Sequence, residues 1–394
     1  MSAHVERGDA PGLVALVAHG DDVHLETLGT LAFGNATPMR ADTVFRVASL
    51  TKIVTAVAGM IVLEECKMRL DDPIDRWIPE LANRRVLKKL SSPLDDTVPA
   101  ARAITVRDLF TYRMGIGSIM SAEDLPIKQA IRNYKIGGDG PPRPSLALPT
   151  DEWLQNLGRL PLVAQPGERF MYQVSGDVLG VLISRVCGQP LGAFMRERIF
   201  EPLGMKDTAF RVSPEQLDRF PACYMPNQTG ELTLFDGVDD SSWRDTAFES
   251  GGGGLVSTMD DWFAFSRMLL NKGGDILSRA SVELMTSDQL APENRIGAEL
   301  FFGTHSSWGL GVAVDIARHE IYHSPGRFGW TGGTGTTAYI DPANDLITIL
   351  LTQRMMNSPA PPQIFTDFFT AAYAAPPSDE PESLRDSEAQ RRLG

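Results

Sequence analysis

Phe45-Arg46-Val47-Ala48-Ser49-Leu50-Thr51-Lys52 is the stretch on which the reading of this chain turns. It ends a short extended segment, residues 43–47. It opens a run, residues 50–63, that is apolar almost all round: Ile53, Val54, Ala56, Val57, Met60, Ile61 and Val62. Apolar residues on every side predict a buried helix, starting at Ser49 and ending near Cys66. On its first turn, positions i and i+3 share a face, so the Ser49 hydroxyl and the Lys52 amine come within hydrogen-bond reach. Burial makes the charged form of a lysine costly, which lowers its pKa and lets it act as a base. The helix N-terminus favours an anion developing at the serine. Of eight lysines, only Lys52 has a serine three residues before it. The plainer alternative makes Ser49 an N-cap and Lys52 a surface residue whose stem covers apolar neighbours.

Two segments further along can complete such a site. Tyr172, in Phe170-Met171-Tyr172-Gln173-Val174-Ser175, stands ahead of a predicted amphipathic helix, residues 175–187, which Gly188 stops. A phenol relays protons when cations nearby lower its pKa. Otherwise Tyr172 is an aromatic plug between loop and helix. Gly329-Trp330-Thr331-Gly332-Gly333 precedes a predicted strand at residues 334–340. Its glycines let backbone approach a ligand, and an N–H from here, with that of Ser49, can hold an oxyanion. Glu249-Ser250-Gly251-Gly252-Gly253-Gly254 lacks the Lys-Ser ending of a phosphate loop, and reads as a flexible connector at a cleft rim, with no catalytic role.

The remaining pattern frames these motifs. An apolar run at residues 13–18, a turn at His19-Gly20-Asp21-Asp22 and alternation at 23–31 predict a hairpin. Strands are predicted at residues 308–314, 320–323, 334–340 and 346–351. Helices are predicted at 106–111 behind Thr105, at 259–270 and at 363–374, with a short one behind Asp71-Asp72-Pro73. Segments 89–103 and 117–149 are long loops of the kind that cover a pocket. Strands at both ends with helices between predict an α/β lobe, residues 1–45 and 245–375, with an all-α lobe inserted at 46–244. Residues 376–394 read as a loose C-terminal tail.

Composition removes several classes of function. Hydrophobic content of 43% and charged content of 22% over 394 residues are those of a globular enzyme-sized chain. A net charge of −13 speaks against nucleic acid and anionic lipid as partners. No apolar run reaches the roughly 18 residues of a membrane span. Cys66, Cys187 and Cys223 are scattered and odd in number, and read as buried free thiols in a reducing compartment. With no signal-peptide pattern in residues 1–12, they predict a cytoplasmic protein. The chain has no zinc-spaced Cys pair, no G-x-S-x-G and no G-x-G-x-x-G, and its one H-E-x-x-H, His319-Glu320-Ile321-Tyr322-His323, does not fall on a predicted helix, which is what would aim both imidazoles at one metal. His319 and His323 have i, i+4 spacing, but on a predicted strand or turn. Neither metal nor cofactor is expected, and the oligomeric state stays open.

In order and spacing the motifs resemble the class C β-lactamase-like superfamily of serine hydrolases. They are the Ser49 octet, Thr105-Val106-Arg107-Asp108-Leu109, Tyr172 followed by Asp177-Val178-Leu179-Gly180, Glu201-Pro202-Leu203-Gly204-Met205, Gly251 to Thr258, and Trp330-Thr331-Gly332. That superfamily includes D-alanyl-D-alanine peptidases, family VIII carboxylesterases and lovastatin-type acyltransferases, and the similarity spans roughly residues 11–375. The resemblance implies a serine β-lactamase-like fold, an antiparallel sheet flanked by helices with an inserted helical domain, and a site between the lobes. It implies that Ser49 is acylated, that Lys52 and Tyr172 share the base and acid work, and that Gly333 and Ser49 supply oxyanion N–H groups.

Three departures bear on substrate. A β-lactamase of this class has Tyr-x-Asn, where this chain has Val174 in the third position. The third motif usually begins with Lys or His, where this chain has Trp330, as in family VIII esterases. An indole cannot pair with a substrate carboxylate and offers an apolar wall with one N–H donor. Thr111-Tyr112-Arg113-Met114-Gly115 stands for a more usual Thr-His-x-Ser-Gly. The first two imply a serine carboxylesterase for short-chain or neutral esters, and the third leaves the role of its segment open. Arg327 or His323 as a substitute cation leaves weak β-lactamase activity open. The alternatives are an acyltransferase, a D-amino-acid peptidase or class C β-lactamase acting on an amide, and a binding protein that has lost catalysis.

Overall fold

The computed structural model describes residues 1–137 and 142–375. The tail expected at 376–394 lies outside the described residues, as do residues 138–141 of the expected long loop. Seven strands form one antiparallel sheet: β1 (Gly12–His19), β2 (Asp22–Gly29), β3 (Ser306–Trp308), β4 (Ala313–Asp315), β5 (Phe328–Gly332), β6 (Thr336–Asp341) and β7 (Leu346–Thr352). Their order is β2-β1-β7-β6-β5-β4-β3. The helices that matter to the site and sheet are α1 (Thr51–Glu64), α2 (Val106–Phe110), α3 (Val174–Cys187), α4 (Met259–Leu270), α5 (Glu299–Phe302) and α6 (Gln363–Ala374).

The N-terminal hairpin closes on the last strand, with Leu13 opposite Thr352 and His19 opposite Leu346. Alternation along β1 sends Leu13 and Ala15 to the face covered by Phe365, Phe368 and Phe369 of α6. Val14 and Leu16 go to the opposite face, into the main core with Trp262 and Phe265 of α4. β7 lies between those two layers, so all seven of its residues are buried and its sequence does not alternate. Helix α1 is buried from Thr51 to Val62, as its all-round apolar sequence requires. Each Val, Ile or Leu so buried contributes roughly 1.5–3 kcal/mol. Among the described residues no single helix is long and apolar enough to cross a membrane.

Several sequence expectations are corrected. Residues 308–314 are not one strand: Gly309-Leu310-Gly311 turns the chain, with Gly311 at φ +80, and folds β4 back on β3 with Ala313 opposite Trp308. Residues 320–323 are not a strand. Asp315 and Arg327 pair across the base of that loop, 2.8 Å from Asp315 N–H to Arg327 O, so the segment between them bulges out of the sheet. Ile321 is accordingly exposed. Trp330 and Gly332 lie on a strand, β5, rather than ahead of one. The helix behind Pro73 is a single 3₁₀ turn, Ile74–Arg76. Helix α3 is not amphipathic over its first ten residues, all of which are buried, Ser175 and Asp177 included. Its Gly176 and Gly180 lie against the backbone of residues 251–252: an added Cβ would sit 3.2 Å from Gly252 Cα and 3.3 Å from Gly251 Cα respectively.

Candidate active site

Ser49 sits on a 3₁₀ turn, Ala48–Leu50, that runs directly into α1. The turn begins under strain: Ala48 has φ +41, a region that L-residues avoid. Thr336 Oγ1 donates to Val47 O at 3.2 Å, and Thr334 Oγ1 donates to Arg46 O. Gly332 packs on the same segment; a Cβ there would lie 2.3 Å from Val47 O. The β5–β6 turn is thus fastened to the two residues before the Ala48 turn. Gly333, in that turn, has open space where a Cβ would stand, and its N–H meets no acceptor among the described residues. Ser49 and Gly333 are both half-buried, at an accessible edge of the core.

Lys52 is 1% exposed, and its Nζ has three acceptors. It donates to Ser49 Oγ at 2.9 Å, to Gln173 Oε1 at 2.8 Å, and to Gly252 O. It also lies 4.6 Å from the centre of the Tyr172 ring. Desolvation lowers the Lys52 pKa to about 7, against an opposing pull from Asp177. The amine is therefore divided between its charged and neutral forms near pH 7. Asp177, on the first turn of α3, is itself pushed up by burial, and is held back by Ser250, by Lys52 and by Gly252 N–H at 3.0 Å.

Trp330 Nε1 donates to Tyr172 Oη at 2.7 Å. Burial pushes Tyr172 up to about 12, although Ser49 and Trp330 as hydrogen-bond partners pull the other way. No cation overcomes that burial, so Tyr172 is a phenol at neutral pH, in contrast to a tyrosine activated by lowering its pKa. Around it stands an aromatic wall: Phe301 of α5 at 4.8 Å between ring centres, and Tyr112 at 6.1 Å. Trp308 lies edge-on to Trp330 at 4.9 Å.

The structure brings Ser49, Lys52, Tyr172, Trp330 and the Gly332-Gly333 turn together. It does not bring Arg327 or His323. Arg327 is 2% exposed, bonds Asp315 at 3.0 Å, and lies 3.8 Å from the Tyr339 ring and 4.7 Å from Phe369 of α6. Those contacts belong to the α6 face of the sheet, whereas Trp330 belongs to the main core on the other. His323 stacks near His305, 4.0 Å between ring centres, and burial holds its pKa down to about 3. Neither is a cation at the site. The Gly251–Gly254 segment is corrected too: it is buried rather than rim. Gly251 O accepts from Thr55 Oγ1 at 2.8 Å, and the Gly252 carbonyl holds Lys52. Sequence reasoning also missed Gln173, Asp177 and Tyr112. The carboxylate of Asp177 on the first turn of a mostly apolar helix is a sign the sequence carries, whereas Tyr112, at φ +56, has none.

A serine hydroxyl hydrogen-bonded to a buried lysine under a backbone turn is an arrangement that can carry acyl transfer. The chain belongs to the β-lactamase family, whose model, described as Beta-lactamase, matches residues 1–367. It is 39% identical over 327 residues to Protein Rv1367c of Mycobacterium tuberculosis (strain ATCC 25618 / H37Rv), covering 80% of this chain and 79% of that protein. It is 30% identical over 364 residues to Esterase EstB of Burkholderia gladioli, covering 86% and 85%. The fold is that of EstCE1, described as a hydrolase with promiscuous acyltransferase activity, at a TM-score of 0.79, 22% identity, and 94% and 96% coverage.

Proposed function

We propose that this chain is a carboxylesterase that cleaves small neutral esters through an acyl-Ser49 intermediate. The observation that carries the reading is the 2.9 Å bond between Ser49 Oγ and a Lys52 amine that burial keeps near pKa 7. The amine takes the Ser49 proton as Oγ attacks the ester carbonyl. Backbone N–H groups of Ser49 and Gly333 face the developing oxyanion, a contribution of about 3 kcal/mol per donor in comparable sites. Tyr172, a phenol between Ser49 and Trp330, hands a proton to the leaving alcohol and regains it from Lys52. Water then attacks the acyl group by the reverse sequence and releases the acid. Esterase EstB, similar over most of both chains, supports an ester as the substrate.

Neutral esters follow from what faces the cleft. Trp330, 6% exposed, presents ring and N–H where a carboxylate-binding cation would stand, and the N–H is already given to Tyr172. The test is hydrolysis of p-nitrophenyl butyrate by the wild type and by Ser49→Ala, with a chromogenic cephalosporin alongside. Ester cleavage lost in the mutant, with the cephalosporin barely touched, is the expected result. A mutant as fast as the wild type refutes the assignment.

A further inference from the structure

Gln173 has a backbone that glutamine does not choose. Its φ is +85 and its ψ −70, near the strained γ-turn of positive φ, and such outliers cost of order 1–3 kcal/mol. The neighbours hold it there: Tyr172 O accepts from Ser118 N–H at 2.8 Å, and Gln173 O accepts from Gly176 N–H at 3.1 Å. Glycine would take this conformation freely. What glutamine adds is a side-chain amide whose oxygen meets Lys52 Nζ at 2.8 Å. Position 174, the next residue along, offers no amide, since Val174 is apolar and buried. An amide one residue earlier, turned inward by the positive φ, reaches the amine instead.

We propose that Gln173 is a positioning residue for Lys52, fixing its amine against Ser49 and setting the pH at which it becomes a base. This rests on the acyl-serine reading above. A neutral amine has two N–H donors and one lone pair, and with Gln173 Oε1 and Gly252 O taking the two N–H groups the lone pair is left to face Ser49 Oγ. Ser49 Oγ is the reacting atom, so Gln173 Oε1 and Gly252 O do the fixing. A side chain on Gly252 would push this arrangement apart: a Cβ would lie 2.8 Å from Gln173 Nε2 and 2.9 Å from Asp177 Oδ1. The groups that face the amine are Asp177 from α3, Tyr172 from the loop before it, Ser49 from its own helix, and the uncharged 251–252 backbone. Asp177 is the one other charge among them. A charge placed at position 173 therefore acts on Lys52 directly.

The sign follows from which form the side chain favours. An amide oxygen accepting from the ammonium favours the protonated amine, so Gln173→Leu lowers the Lys52 pKa and moves the acid limb of kcat to lower pH. Gln173→Glu puts a carboxylate beside the ammonium and moves the limb up by about one pH unit or more. Both variants lose turnover, Gln173→Leu by about tenfold, because the amine is no longer held at the same angle. Gln173→Gly separates strain from function: it relieves the backbone and raises the thermal midpoint, yet it loses as much turnover as Gln173→Leu. The experiment is the pH profile of p-nitrophenyl butyrate hydrolysis for the three variants, with melting curves and with Ser49→Ala as the control. Opposite shifts for Leu and Glu, with a stable but slow Gly variant, establish the role. Unmoved acid limbs, or a Gly variant as fast as the wild type, overturn it while the dead Ser49→Ala leaves the esterase reading intact. An active Ser49→Ala overturns the esterase reading itself.

Discussion

Replacing Lys52 with methionine should abolish turnover and yet make the protein more stable at pH 7. Folded Lys52 gives up its proton near pH 7, while a lysine in the unfolded chain does so near 10.5. Between those values the unfolded state holds a proton that the folded state lacks, so wild-type stability rises with pH there. At pH 7 the burial of this amine costs about 4 kcal/mol, and at pH 9 about 2 kcal/mol, by linkage between the two pKa values. Methionine is unbranched, of similar reach and uncharged, so it fills the same channel without that cost. It leaves the buried Gly252 carbonyl without its Lys52 donor, a loss of roughly 1–3 kcal/mol. The variant should therefore gain about 1–3 kcal/mol at pH 7, the difference of the two. That gain should shrink by about 2 kcal/mol at pH 9, as the wild type recovers. Urea unfolding of both proteins at the two pH values, followed by tryptophan fluorescence, measures the difference directly. Titrating groups away from Lys52 are common to both chains and cancel, and Asp177, which Lys52 helps hold down, is the one neighbour whose carboxyl the substitution pushes further up. A stability difference that does not change between pH 7 and pH 9 would refute a depressed Lys52, and with it the argument that a neutral amine activates Ser49.

Two further outcomes follow from the same contacts. Trp330→Phe keeps the apolar wall but removes the N–H that donates to Tyr172 at 2.7 Å; kcat for p-nitrophenyl butyrate should fall about 5- to 30-fold with KM little changed, the worth of roughly 1–2 kcal/mol in a hydrogen bond. An unchanged kcat would leave the indole as a wall only. Gly252→Ala places a methyl group 2.8 Å from Gln173 Nε2 and 2.9 Å from Asp177 Oδ1, and should cost roughly 1–3 kcal/mol of stability together with most of the activity. A variant that melts and turns over like the wild type would show that the segment yields freely.

What the sequence made legible was what periodicity and short spacing control. The S-x-x-K spacing and the all-round apolar run from Ile53 to Val62 define a buried amine three residues from a serine, and the structure places them 2.9 Å apart. The hairpin at the N-terminus, α4 and α6 were legible for the same reason: each carries its period within a dozen residues. The connection between β4 and β5 was not. Glu320-Ile321-Tyr322-His323 alternates like a strand, and what keeps it out of the sheet is the pairing of Asp315 with Arg327, twelve residues apart. The charge of Arg327 pointed to a substrate cation for as long as its partners were unknown. Asp315, Tyr339 and Phe369 come from two strands and the last helix, and no local pattern joins them.

The Gly251–Gly254 segment shows the same limit from the other side. Four glycines read as freedom, because glycine's lack of a side chain is visible in sequence and the reason for it is not. Here the reason is contact. Gly251 and Gly252 lie against Gly180 and Gly176 of α3, so that one carbonyl meets Thr55 and the next meets Lys52. A backbone carbonyl has no letter of its own in the sequence, and neither does a positive φ. The Lys52 amine is bounded by both: the Gly252 carbonyl on one side, and on the other a glutamine amide turned inward by the backbone of residue 173. Ser49 and Lys52 are written in side chains, while the parts that hold them in place are written in backbone, and those emerge only when distant segments are packed together.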